Sequence, residues 1–362
     1  AGAGVTPYPW IEVLEQSRNE RILYENLRTL GGDVRWGAGV TALAETAVED
    51  GEYRIRPGEE ARQPATAAQP VASAATGPVP SAIRGADPAF DRPLFIVSAP
   101  RSGSTLLFET LSRAPGLYTI GNESHQLIEG VAALDPGQRG FDSNRLTAAD
   151  ATPDVVAALR ARFHAALRDR DGRPPAPGAR VRMLEKTPKN ALRIPFLRAV
   201  FPEARFVYLH RDPRQVLGSM LDGWQKGGFR MYAGLPGWTG TPWSFLLVPG
   251  WRELVGRPLE EIVSAQWDTT TRVMLDDLAA LDPADWIAAD YARLLADPQA
   301  EVDRLCAWAG VDWDRPLGPD LPLSRSTMSK PDPEKWRRHA AGIEAQWERI
   351  RATVERAASV AA

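Results

Sequence analysis

From Leu94 onward the chain repeats one pattern: a short apolar run, a polar turn, then apolar residues at helical spacing. Leu94-Phe95-Ile96-Val97, Val181 to Glu185, Arg205 to Leu209 and Trp286 to Tyr291 read as strands. Runs that are apolar on consecutive positions suit strands covered on both faces. Helices are predicted from the first turn to about Arg113, from Pro153 to Arg170, after Lys186–Asn190, after His210–Arg214, from Leu259 to Leu281, through Leu305 and Trp308, and over 334–356. This alternation predicts an α/β domain over 94–362, with a central parallel sheet flanked by helices. Ligands of such sheets bind beyond the carboxyl ends of the strands.

Three stretches break the pattern. Residues 57–93 are rich in Ala, Pro and small polar residues, too poor in large apolar side chains to offset their ordering entropy, and read as a linker. Residues 1–56 read as a small α/β appendage. Ile11, Leu14, Ile22, Leu23, Leu27 and Leu30 suggest helices, and Val34-Arg35-Trp36 and Tyr53-Arg54-Ile55 suggest strands around Asp50-Gly51, a hairpin signal. This unit is expected to be a docking or dimerisation element or the remnant of a neighbouring module. The run from Arg21 to Leu43 resembles a piece of the flavoprotein aromatic monooxygenases but lacks their GxGxxG, so no flavin is implied. Residues 222–256 are irregular and carry Trp224, Phe229, Tyr232, Trp238, Trp243, Phe245 and Trp251. They are expected to form a lid or a substrate wall, against the plainer reading of a loop pinned by its own aromatics.

Composition narrows the partners. A net charge of −3 over 362 residues offers no basic field for nucleic acid or an anionic membrane. Cys306 is the single cysteine, which rules out an internal disulfide and suits a reducing, cytoplasmic setting. No apolar run approaches membrane-spanning length, and no signal peptide is expected. No metal-ligand spacing occurs among the acids and histidines, so no metal is expected.

The chemistry starts after the first strand. Ser98, Pro100, Arg101, Ser102, Gly103, Ser104 and Thr105 form a polar turn that runs into a helix. Loop amides, a helix N-terminus and hydroxyls cradle an anion, and Arg101 adds a forked cation. The turn is not a Walker A loop, because Pro100-Arg101-Ser102-Gly103 stands where Gly-Lys belongs. A second anion site follows a later strand. In His210-Arg211-Asp212-Pro213, the acid suits a helix N-cap and Pro213 its first turn, and Ser219 lies two turns along, eight residues past Arg211.

Taken together, PRSGSTLL and HRDPRQVLGS resemble the PAPS-dependent sulfotransferases, whose donor is 3′-phosphoadenosine 5′-phosphosulfate. Arg in the first loop is similar to the tyrosylprotein branch and the broad bacterial family near it. The resemblance spans about Leu94 to Arg338 and implies a P-loop-like sheet. It implies that Arg101, Ser102, Gly103, Ser104 and Thr105 hold the phosphosulfate and that Arg211 and Ser219 hold the 3′-phosphate. Glu123 falls where the tyrosylprotein branch carries its catalytic glutamate, and Glu123-Ser124-His125 resembles the Glu-x-His of bacterial enzymes acting on acyl-chain hydroxyls. Lys186 matches a lysine near the transferred group. Tyr291 matches a segment near the nucleotide, although Ala292 replaces its usual Glu. Leu323 to Pro331 resembles a late donor loop with Ser326 and Lys330 as contacts, Ser324 being the alternative serine.

The implied reaction is transfer of a sulfuryl group to the hydroxyl of a natural product or a carrier-bound acyl chain, yielding PAP. Glu123 would be the base, His125 the alternative base or its orienter, and Arg101, Lys186 and Lys330 the charge stabilisers. His164 and His339 read as structural, and His210 as a buttress of Arg211. Peptide tyrosine remains an alternative acceptor. A P-loop kinase and a non-catalytic nucleotide-binding module are the alternatives of another class.

Overall fold

The computed structural model describes residues 43–47, 53–57, 90–327 and 332–361. The chain divides into two units, Ala1–Ser81 and Ala82–Ala362. In the first, β1 (Leu43–Ala47) pairs antiparallel with β2 (Tyr53–Pro57). The expected strand Tyr53–Ile55 thus pairs with Glu45–Ala47, while Asp50-Gly51 lies outside the described residues. The expected helices and the Val34–Trp36 strand lie outside the described residues.

The second unit carries a five-stranded parallel sheet. Its elements are β3 (Leu94–Val97), α1 (Ser104–Leu111), β4 (Leu117–Tyr118), α2 (His125–Glu129), α3 (Pro153–Ala166), β5 (Arg182–Lys186), α4 (Ile194–Val200), β6 (Arg205–His210), α5 (Pro213–Lys226), β7 (Arg230–Tyr232), β8 (Trp243–Ser244), α6 (Leu259–Ala279), β9 (Trp286–Asp290), α7 (Tyr291–Ala296), α8 (Pro298–Ala309) and α9 (Ala340–Ala361). The sheet order is β4-β5-β3-β6-β9, and β7 and β8 form a separate antiparallel ribbon. Among the described residues no helix is long and apolar enough to cross a membrane.

Successive side chains of a strand point to opposite faces, and here both faces are apolar. Phe95 and Val97 of β3 join Phe206 and Tyr208 of β6 in a cluster with α3, α4 and α6. Leu94, Ile96, Val207 and Leu209 enter a second cluster with α1 and α8. That double burial is why the strands read as unbroken apolar runs. The domain begins before Leu94: Phe90 is buried and bridges Val181. The end of the expected linker therefore extends the pairing of β3 with β5, because Phe90 supplies an aromatic side chain the stretch before it lacks.

The helix after β6 starts as its sequence dictates. Asp212 accepts the amides of Arg214 and Gln215, Pro213 takes the first turn, and Gly227 closes α5 at φ 67°. After β3 the chain turns toward β4, and after β6 it turns the other way toward β9. A crevice opens between two adjacent parallel strands whose connections diverge. The β3 and β6 ends are such a pair.

Candidate active site

The turns after β3, β6 and β9 meet at this crevice. Arg101 Nε donates to Ser219 Oγ at 3.2 Å, and its Nη2 donates to the Ser326 carbonyl at 3.2 Å. Arg211 Nη1 donates to the Arg101 carbonyl at 3.2 Å, and its Nε to Gln215 Oε1 at 3.1 Å. Aromatic rings back both guanidiniums: Tyr291 lies 4.3 Å from Arg211, and Phe229 4.6 Å from Arg101. Neither arginine forms an ion pair with a carboxylate among the described residues. Burial lowers both guanidinium pKa values, and the neighbouring Arg211 helps bring Arg101 to about 10. Both remain charged at neutral pH. Two adjacent cations with only neutral partners form a site for an anion.

Backbone geometry makes the close packing possible. Gly103 has φ 95°, and a Cβ on it would stand 2.3 Å from Tyr291 Cε2. Glycine is thus required both by conformation and by the ring that backs Arg211. Arg101 itself adopts φ 68°, an uncommon conformation for a side-chain-bearing residue. The cavity here holds about 260 Å³ and is lined by Gly103, Ser104, Thr105, Ser219, Lys335 and Trp336, among others. Ser324 and Ser326 both reach it, so the structure does not favour one over the other. Ser102 is buried and is not on the wall. Lys330 lies outside the described residues.

Glu123 and His125 also line this cavity. Glu123 Oε1 takes a short hydrogen bond from Lys186 Nζ, and Oε2 lies 2.8 Å from His125 Nε2. Lys186 is buried at the end of β5 and does not itself line the cavity. Burial raises the Glu123 pKa, but the His125 hydrogen bond and the Lys186 charge outweigh it and hold the carboxyl at about 2. A polar network missed by the sequence reading holds this turn to β5. The Ser124 amide donates to Thr187 Oγ1 at 2.7 Å, Thr187 donates to Glu185, and Asn190 Nδ2 donates to Glu185 at 2.6 Å. Glu185 is wholly buried, and that burial raises its pKa. Thr187 and Asn190 follow Lys186 in sequence, but nothing in their types signals the contact.

Glu123, His125, Lys189 and Met231 also border an adjoining cavity of about 470 Å³. Its wall mixes Phe141 and Tyr232 with Asn122, Gln126, Glu129 and Asp135. Glu129 accepts from Lys189 at 2.8 Å and from Arg193 at 2.6 Å. Burial lowers the Lys189 pKa to about 8, against the opposing pull of Glu129.

The aromatic excursion, expected as a lid or a substrate wall, is divided: some of its rings pin one another and others line a cavity. Trp224, Trp243 and Trp251 are buried, and ring centroids within the set completed by Trp238 lie as close as 4.8 Å. Aromatics this dense bury one another before they can face a ligand. Phe229, Met231, Phe245 and Tyr232 do reach a cavity. Residues 222–226, read as irregular, complete α5 instead. Three histidines stand apart from Glu123: His210 bonds Asp290 at 2.9 Å, His339 bonds Asp222 at 2.9 Å, and His164 packs on Phe90.

Solved structures that resemble the chain include the following three. The sulfotransferase domain from the curacin biosynthetic pathway is 18% identical, with 75% of this chain and 97% of that one covered at a TM-score of 0.40. The sulfotransferase domain of the Synechococcus PCC 7002 olefin synthase is 20% identical, covering 62% and 75% at 0.36. Sulfotransferase STF1 of Mycobacterium tuberculosis H37Rv is 15% identical, covering 74% and 77% at 0.41. No curated protein matches. Residues 93–315 match the sulfotransferase family. That match takes in more than half of the chain, both arginine turns and Glu123, and the protein accordingly belongs to the sulfotransferase family.

Proposed function

We infer that this sulfotransferase uses PAPS as its donor and an organic alcohol as its acceptor, with Glu123 as the general base. One observation carries the reading: Arg101 and Arg211, without carboxylate ion-pair partners among the described residues, share a cavity with the Glu123 carboxylate. The nucleotide phosphates would lie at the arginine end, with Ser104, Thr105 and Ser219 as hydroxyl donors and Tyr291 as a backing ring. The acceptor would enter through the cavity beyond Glu123 and His125.

The acceptor oxygen attacks sulfur and passes its proton to Glu123. The bond between sulfur and the bridging phosphate oxygen breaks, and PAP leaves with the electron pair. As in phosphoryl transfer, the protein contributes mainly position and charge. At rest Glu123 is too well held to be a strong base. Sulfuryl oxygens that draw the Lys186 ammonium toward themselves would free the carboxylate and raise its basicity, matching base strength to the moment of transfer. His125 holds the second carboxylate oxygen and orients the attack.

The mixed apolar and polar wall of the acceptor cavity suits a hydroxylated natural product or a carrier-bound acyl chain. Labelled PAPS offered with such alcohols, a tyrosine peptide and a no-acceptor control, with mass detection, tests the reading. Sulfated alcohol plus PAP is the expected result. Labelled ATP giving phosphorylated product while PAPS stays inert would replace the reading with a kinase. PAPS binding without turnover on any acceptor would leave only a binding module.

A further inference from the structure

Lys186, the last residue of β5, and Thr187 after it meet two consecutive residues of the turn before α2. Lys186 Nζ donates to the Glu123 side chain, and Thr187 Oγ1 accepts the Ser124 amide at 2.7 Å. The two contacts differ in kind. The first joins two side chains that can part, whereas the second ties the main chain of the turn to the sheet. Ser124 and Thr187 are wholly buried, and their hydroxyl oxygens lie 3.0 Å apart. A hydroxyl has one proton to give. Thr187 gives its proton to Glu185, so Ser124 is the donor in both of its contacts with Thr187. Asn190 Nδ2 donates to the other Glu185 oxygen at 2.6 Å and fixes the carboxylate. Burial pushes the Glu185 pKa up, against the pull of Thr187, Ser124 and Lys186. A carboxylate in the core is costly, and this one aims a single hydroxyl.

In the transfer described above, sulfuryl oxygens draw Lys186 away from Glu123. The carboxylate then keeps His125, which lies two residues along and travels with the same turn. A link from Arg325 to the Gly121 carbonyl at 2.8 Å comes from a half-exposed side chain. The tie between Thr187 and Ser124 is the buried one. We propose that Thr187 is a positioning residue for Glu123: aimed by Glu185, its hydroxyl fixes the turn so that the carboxylate stays in line with the acceptor oxygen once Lys186 has let go. The inference rests on the reading of Glu123 as the base.

Transfer of labelled sulfuryl from PAPS to the alcohol sulfated best in the acceptor panel tests it. Thr187→Val, which puts a methyl in place of the hydroxyl, should lower kcat at least tenfold and leave KM and PAP affinity within threefold. Thr187→Ser keeps the hydroxyl and should recover most of the rate. In a Glu123→Gln background the valine change should alter the residual turnover less than twofold, because the base it positions is gone. Three results would each overturn the assignment: a valine variant within twofold of wild type, a serine variant no better than valine, or an equal fractional loss in both backgrounds. If the valine variant does not fold, Thr187→Cys, whose sulfur accepts only weakly, takes its place with the same expected loss. Wild-type protein that sulfates no alcohol, or Glu123→Gln with full turnover, would instead overturn the donor and base reading on which the inference stands.

Discussion

The arginine pair and the carboxylates around Glu123 treat charge in opposite ways. Arg101 and Arg211 lean on a hydroxyl, an amide side chain, backbone carbonyls and aromatic rings, with no ion pair to a carboxylate among the described residues. Around Glu123 the carboxylates are paired: Glu123 with Lys186, and Glu129 with Lys189 and Arg193. An unmatched pair of cations is ready for a ligand and gains from its arrival. A matched set is stable without one, so its groups must be released before they can act. The arginine pair is open to an anion and the Glu123 pair is not, although both lie past strand ends of one sheet.

The sharpest way to break this contrast is Glu123→Gln. Turnover should fall by about 10²–10⁴, the usual contribution of a general base, while PAP affinity stays within threefold. Near-normal turnover would remove Glu123 from the mechanism. Glu129→Ala should next cost about 3–5 kcal/mol of stability, because it strands Lys189 and Arg193 as buried cations. A urea midpoint indistinguishable from wild type would show that the matched set is not what holds this wall.

Acid should probe the Glu123 pair directly. A carboxyl held at about 2 in the folded protein, against an ordinary 4.5, stabilises the fold above pH 4.5 and loses that contribution as pH falls toward 2. The full effect is about 3 kcal/mol. The stability gap between wild type and Glu123→Gln should therefore narrow between pH 6 and pH 2.5; a constant gap would argue against the ion pair. The smallest change belongs to the donor end. Arg211→Ala should raise the PAP dissociation constant at least tenfold, about 1.4 kcal/mol, without lowering the melting temperature. Unchanged affinity would place the nucleotide elsewhere.

Much of the frame was legible because local rules produced it. The β3 and β6 runs are apolar at every inner position since both faces of the sheet are covered, and Asp212-Pro213 starts α5 by satisfying its own first-turn amides. Arg101, Glu123, Arg211, Ser219 and Tyr291 were legible from motifs that follow strands, and the topology brings them to one cavity. The tryptophans misled, because an aromatic-rich stretch reads the same whether its rings line a pocket or pack on each other. Thr187 and Glu185 carried no signal, since the network they form is completed by Ser124 from a distant part of the chain.

By itself, then, the sequence determined the strand–helix alternation, the two arginine turns and the family they belong to, because each is written in adjacent residues. Only the tertiary structure decided which charges are answered and which are left open. Whether a cation meets a carboxylate, a carbonyl or a ring depends on how separate turns converge in space, and no local pattern encodes that.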